Sequence, residues 1–279
     1  MVTIHAVTAL EKELGIRLTQ RQGRGVVLTA AGAALAVHGH DILDRLSLAE
    51  LELEALRAGT VGRYTLNAFP SAARTFVAET CRRIRSGDGP ALDLRVITAE
   101  PDAAVEALAS GNTDLAVIHS YSNVPRDLAG GLSSRPLGSE PVWLAAPAAG
   151  LGDGSTRTIE LTDFATTSWI APTADLTCFT MMERACGLAG FRPRIVAESM
   201  DFAVQLELVA AGVGVALVPA LTVAHLPAGV ELLELTVPVR RSIHLAARTP
   251  DFNDPGILNL ASILADTACP HLPIRPLAA

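Results

Sequence analysis

The chain has 279 residues, 49% of them hydrophobic and only 18% charged. That is length enough for two domains and apolar content enough for a sizeable core, which excludes a disordered chain. Its formal net charge of −7 argues against general nucleic-acid coating, although a whole-chain average can hide a small basic module.

From the N-terminus, "IHAVTALEKEL" places Ile4, Val7, Leu10 and Leu14 three and four residues apart, one apolar helical face that stops at Gly15. "IRLTQRQGRGVVLT" follows as two β-prone runs around Gln22-Gly23-Arg24-Gly25, a hairpin placed like a wing beside the helix. Lys12, Arg17, Arg21 and Arg24 outnumber Glu11 and Glu13 here, so the N-terminal stretch is locally basic. Thr29 can cap a new helix running to about Arg57. Leu35, Gly39, Ile42, Leu46, Ala49, Leu53 and Leu56 alternate four and three residues apart along it, a heptad seam of roughly 42 Å at 1.5 Å per residue. The seam fits either a dimer contact or the inner face of a helix packed on its own domain.

From Arg63 onward strands and helices alternate, beginning with "RYTLNAF", "SAARTFVAETCRRIRS", "LDLRVIT", "DAAVEALAS" and "TDLAVIHS". This pattern argues a parallel α/β sheet, and a Gly/Pro/Ser-rich break at 147–155 divides it into two lobes. The expected organisation is a partial winged helix-turn-helix over 1–29, a linker and dimerisation helix over 30–58, and a two-lobed α/β domain over 60–279. Lobe I would take about 60–146 and 247–268, and lobe II about 147–246.

Over nearly its whole length the chain resembles the LysR-type transcriptional regulators. The resemblance is carried by "ALEKELG", "GRGVVLT" and "AAG" near the N-terminus, and by "EPDAAVEALASGNTDLAVI" and "LELVAAGVGVALVP" further on. It implies a winged helix, a linker helix and an effector domain similar to periplasmic solute-binding proteins. The lobes would be joined by crossing strands near Leu144–Pro147 and His244–Ala247. Two differences from the family stand out. The chain opens at the recognition helix, where the family has two further helices, so weak or lost DNA binding is expected if this start is natural. Thr19 also stands where the family's wing usually carries a large ring.

The resemblance and the strand–helix pattern together nominate site residues. Thr3, His5 and Thr8 would face DNA from the recognition helix, or they are simply its N-terminal turn. Arg24 between two glycines would reach a phosphate or the minor groove, or is a solvated turn residue. In the two-lobed domain, ligands are expected where strands run into helix N-termini. Pro70, Ser71 and Ala72 begin the first helix, where free N–H groups favour a carboxylate and the family often places an effector-holding hydroxyl; Ser71 reads equally as an N-cap. Glu100 and Pro101 begin the second helix, with Pro101 standing where the family often has Ser or Thr. His119 at a strand end would touch effector or sense pH, or be a satisfied loop residue. Ala171, Thr173, Ser199 and Met200 face them from the other lobe, and Asp201 reads as a helix cap.

Two segments read as scaffold. Gly212 and Gly214 turn a buried helix into a buried strand, and His38 and His40 point to different helix faces. The four cysteines, Cys81, Cys178, Cys186 and Cys269, lack CxxC or Cys/His metal spacing and read as reduced, packed thiols. No cofactor or metal is expected. With no signal peptide and no run of 18 apolar residues, a cytoplasmic protein is expected. The first functional reading is a transcriptional regulator that binds DNA as a homodimer or homotetramer, under control of a small organic, anionic effector. The second is a ligand-binding and dimerisation module without independent DNA binding. The third, a small-acid enzyme on the same scaffold, lacks any nucleophile–base set.

Overall fold

The computed structural model describes residues 2–22, 25–87, 90–128, 130–148, 158–223 and 225–272, with backbone only at 2–5, 40, 44 and 47. They divide into two compact units, Met1–Arg57 and Ala58–Ala279.

In the first unit, α1 (Val2–Leu14) ends at Gly15, whose φ of 68° only glycine adopts at no cost. β1 (Thr19–Gln22) and β2 (Gly25–Leu28) pair antiparallel, with Thr19 opposite Leu28. One carboxylate fastens helix to hairpin. Glu11 Oε1 accepts the N–H of Leu18 at 2.8 Å, the N–H of Thr19 at 2.9 Å and the Thr19 hydroxyl at 3.0 Å. These bonds hold the Glu11 carboxyl below its ordinary range. Thr19, where a large ring was expected, is thus a hydrogen-bonding residue here. α2 (Ala30–Arg57) opens on the expected cap: the Thr29 hydroxyl accepts the Gly32 N–H at 3.0 Å and donates to the Arg17 carbonyl at 2.7 Å. Gly32 has no room for a side chain, since a Cβ would lie 2.0 Å from the Leu18 carbonyl oxygen.

The second unit runs β3 (Val61–Ala68), α3 (Pro70–Ala72), a π turn, α4 (Ala78–Arg85), β4 (Ala91–Thr98), α5 (Pro101–Ala109), β5 (Leu115–Tyr121) and the long β6 (Leu132–Pro147). It continues with β7 (Thr158–Ile159), β8 (Ser168–Ala171), α6 (Thr177–Leu188), β9 (Arg194–Glu198), α7 (Phe202–Ala210) and β10 (Ala216–Pro219). β11 (Val230–Leu235), β12 (Arg240–Arg248) and α8 (Pro255–Ala268) complete it. Sheet order is β4-β3-β5-β12-β6-β11-β7, with β10 also on β6. β3, β4 and β5 are parallel, as the strand–helix alternation implied; β12 is antiparallel to both β5 and β6.

The lobes meet on β6 and β12. β6 pairs with β12 as far as Pro141, then with β10 and β11 from Val142 onward. On the return, Val142 N–H donates to Val239 O at 2.9 Å. The crossings therefore lie at Pro141–Val142 and Val239–Arg240, earlier in both strands than Leu144–Pro147 and His244–Ala247. Nearly all of β12 belongs to lobe I, where Ile243, Leu245 and Ala247 join Leu66, Phe76, Leu115, Leu260 and Leu264 in the core. The strand–helix alternation does not place the switch, although Pro141 and Pro238, which cannot donate to a ladder, stand at the two crossings. Lobe II packs Trp169, Met181, Met182, Leu144 and Leu233. A parallel bridge from Trp169 to Val215 brings β8 and β9 alongside β10. Gly212, at φ 75°, and Gly214, whose Cβ would meet the Ser168 carbonyl at 2.4 Å, make the close turn into β10.

Candidate functional site

A cavity of about 360 Å³ opens between the lobes. Lobe I supplies Phe69, Pro70, Ser71 and Arg74 where β3 runs into α3, Glu100 before α5, His119 and Tyr121 on β5, and Arg241 on β12. Lobe II supplies Leu176 and Cys178 at the start of α6, and Met200, Asp201 and Phe202 at the start of α7. Much of both faces forms where strands hand over to helices, at the starts of α3, α5, α6 and α7.

Of the expected residues, Pro70, Ser71, Glu100, His119 and Met200 line this cavity. Ala72 and Ala171 instead pack into the lobe cores, and Pro101 is buried at the first turn of α5. Thr173 forms the turn leading to α6, its carbonyl accepting the Leu176 N–H at 3.0 Å. The Ser199 hydroxyl accepts the Asp201 N–H at 3.1 Å. On α1, Thr8 is exposed; Arg24 and the side chains of Thr3 and His5 lie outside the described residues.

Ser71 is not an N-cap. Phe69 holds that position, and the buried Ser71 oxygen accepts from Arg241 Nη2 at 2.9 Å. Arg241 is 1% exposed. Its Nε donates to Glu140 Oε1 at 2.6 Å, its guanidinium lies 4.8 Å from the Phe69 ring centre, and Glu140 Oε2 accepts the Leu221 N–H. Burial opposes the Arg241 charge, but Glu140 and Tyr121 together outweigh it and the pKa moves up. The pair is therefore an internal salt bridge, with Arg241 forming the cavity floor. Arg74, half exposed, faces Asp201 across the cleft at 3.9 Å. Asp201 is the α7 cap, accepting the Ala203 N–H at 2.9 Å, and lines the cavity as well.

His119 is buried, not at an open mouth. Burial drives its pKa down to about 4 against the pull of Glu100, whose Oε2 lies 3.8 Å from Nε2. The imidazole is thus neutral at neutral pH, which argues against the pH-sensing alternative. Its Nδ1 has no hydrogen-bond partner. His119 and Arg126 also line a separate cavity of about 50 Å³, and Arg126 Nε is likewise unpartnered. Burial also pushes the Cys178 thiol up to about 12, so the wall carries a protonated thiol. Among the described residues no group of His, Cys, Asp or Glu could hold a metal ion, and no helix is long and apolar enough to cross a membrane.

Against known proteins, the LysR substrate binding domain matches residues 57–269. The chain belongs to the LysR family. Relatives include the malonate utilization transcriptional regulator of Klebsiella pneumoniae, 27% identical over 94% of this chain and 84% of that protein. A probable hydrogen peroxide-inducible genes activator of Streptomyces viridosporus is 32% identical over 51% of this chain, a stretch spanning 44% of that protein. Among solved structures, the LysR regulator CbnR superimposes with a TM-score of 0.72 at 23% identity, covering 94% of this chain and 89% of that one. The two-lobed unit is thus a LysR effector-binding domain, and the chain a LysR-family transcriptional regulator.

Proposed function

We propose that the inter-lobe cavity is the effector site of this LysR regulator, and that it takes a compact carboxylate carrying a further hydrogen-bonding group. The observation that carries this reading is the convergence of Arg74, Ser71 and the α3 start on one cavity with apolar walls. Arg241 is already neutralised by Glu140, so it contributes shape and its hold on Ser71 more than free charge. Arg74 is the cation available to a ligand, and a carboxylate would have to draw it from Asp201. The protonated Cys178 offers no thiolate, which favours reversible binding over covalent sensing. The winged N-terminal unit would carry the DNA contacts and α2 the dimer contact, so effector binding would act on a DNA-bound dimer.

The test is a thermal-shift screen of compact carboxylates, each beside its carboxamide. At least one carboxylate should stabilise the protein while its amide does not. Ser71→Trp, which fills the cavity, should abolish the shift, and Arg74→Gln should weaken it about tenfold, in the range of a charge-assisted hydrogen bond. Equal shifts for acid and amide, or a shift that survives Ser71→Trp, would place binding elsewhere.

A further inference from the structure

A second cavity, of about 480 Å³, lies wholly outside the cleft and is larger than it. Its walls are Ser122 and Asn123 just after β5, the chain around Ile159–Thr162, the last turn of α6 at Ala185–Ala189, and Leu235 with Val237–Val239 before β12. We infer that this cavity is a second ligand site, for a neutral, largely apolar molecule bearing one hydroxyl or N–H donor.

Three observations carry the inference. The walls are mostly aliphatic, and Leu188 and Val237 stand at the rim 80% and 70% exposed, a large cost in unfilled apolar surface at the opening. Asn123 supplies one defined polar point. Its Nδ2 donates to the Met181 carbonyl at 2.9 Å, and its Oδ1 is an unpartnered acceptor just beneath the cavity surface, which a donor reaches by a small turn of the side chain. A buried acceptor left unpaired costs free energy that a ligand donor would recover. Glu160 is the ionisable side chain of the lining, which holds no Arg or Lys to offset it or to pair with an anion. The chemistry is therefore the reverse of the cleft: a donor where the cleft takes an acceptor, and no countercharge for a carboxylate.

The position gives such a ligand something to act on. The two cavities share their walls through two segments. Tyr121 lines the cleft and Ser122 the second cavity; Arg241 lines the cleft and Val239 the second cavity. Ser122 and Arg240 are tied by two hydrogen bonds, Ser122 N–H to Arg240 O at 2.9 Å and Arg240 N–H to Ser122 Oγ at 3.1 Å. Val239–Arg240 is also one of the two lobe crossings. A ligand that wedges Val239 shifts the residues carrying Arg241 and Tyr121, and so changes affinity in the cleft. This coupling rests on the cleft being the effector site; binding in the second cavity does not.

The experiment uses the full chain with methyl-labelled Ala, Val, Leu and Met, and three probes of matched size: benzyl alcohol, toluene and benzoate. Benzyl alcohol should shift the Ala189 and Val239 methyl signals and bind about fivefold more tightly than toluene, the effect of one hydrogen bond. Benzoate should leave these signals in place and, if it binds, move Met200 in the cleft instead. Asn123→Ala should erase the preference for the alcohol over toluene, and Leu188→Trp, at an exposed rim position that does not endanger folding, should weaken both. Shifts from benzyl alcohol confined to Met200, or no shift at millimolar concentration, would overturn the second site. Binding at Ala189 and Val239 with cleft affinity for a carboxylate unchanged would overturn the coupling alone.

Discussion

Arg241 and Glu140 face each other directly across β12 and β6, both buried, and neither can lose its partner cheaply. Glu140→Gln keeps an acceptor for the Leu221 N–H but strands the guanidinium, which should cost about 3 kcal/mol of stability in urea titration. Glu140→Leu with Arg241→Met should cost clearly less, because no charge is then left alone. A Gln variant as stable as the parent would mean that Arg241 reaches water. His119 makes a prediction in pH. Its folded pKa of about 4 lies below the 6.5 of an unfolded histidine, so the unfolded chain binds the extra proton first. Its contribution is fully present above pH 6.5 and is lost as pH falls toward 4, by about 3 kcal/mol. His119→Gln should therefore flatten the wild-type loss of stability between pH 6.5 and 4, measured as the difference between the two proteins. Parallel curves would show that the imidazole is solvated. Ser71, Glu100 and Met200 were legible in the sequence because strand-to-helix handovers are local patterns. Arg241 and Tyr121 were not: their place in the cavity depends on the register of β12 against β5 and β6, which joins residues more than a hundred apart.

At the scale of elements, the start of α2 at Thr29 and the stop of α1 at Gly15 follow from capping chemistry, and both occur where the sequence put them. The long helix is less simple than its heptad seam. Seam residues Ile42, Leu46 and Leu53 are 66%, 55% and 65% exposed, yet off-seam Leu43, Leu48 and Leu51 are exposed too. Apolar side chains therefore cover more than one face, and a helix of that kind asks for partners on more than one side. If the seam is the dimer contact, Leu46→Glu with Leu53→Glu should give monomers in sedimentation equilibrium, whereas Leu43→Glu with Leu51→Glu should leave dimers intact. Dissociation by the off-seam pair alone would move the contact to the other face. The lobe crossings show the opposite limit of element-scale reading. A strand that changes partners half-way, as β6 does at Pro141–Val142, is marked locally by a proline that ends one ladder, but the residue does not name the strands that pair beyond it.

At the scale of the whole molecule, the apolar cores lie within the second unit. All four clusters of buried apolar residues fall between Leu66 and Leu272, and among the described residues of the first unit Leu18 is the one large apolar side chain that is buried. The two lobes are stitched together by β6 and β12, and Tyr121 from lobe I packs into the lobe II core. Stability of the effector domain should therefore come from within residues 58–279. Cutting before Ala58 removes α2 and its exposed leucines but none of these core clusters. The fragment 58–279 should unfold in one cooperative transition, with Tm within about 4 °C of the main transition of the full chain, a shift worth no more than about 1 kcal/mol. It should keep the ligand response of both cavities, while its self-association should fall if α2 is the dimer contact. The check is calorimetry on the fragment beside the full chain, with sedimentation on the same samples. A fragment that aggregates, or melts without cooperativity, would show that residues 1–57 complete a core that these clusters do not contain.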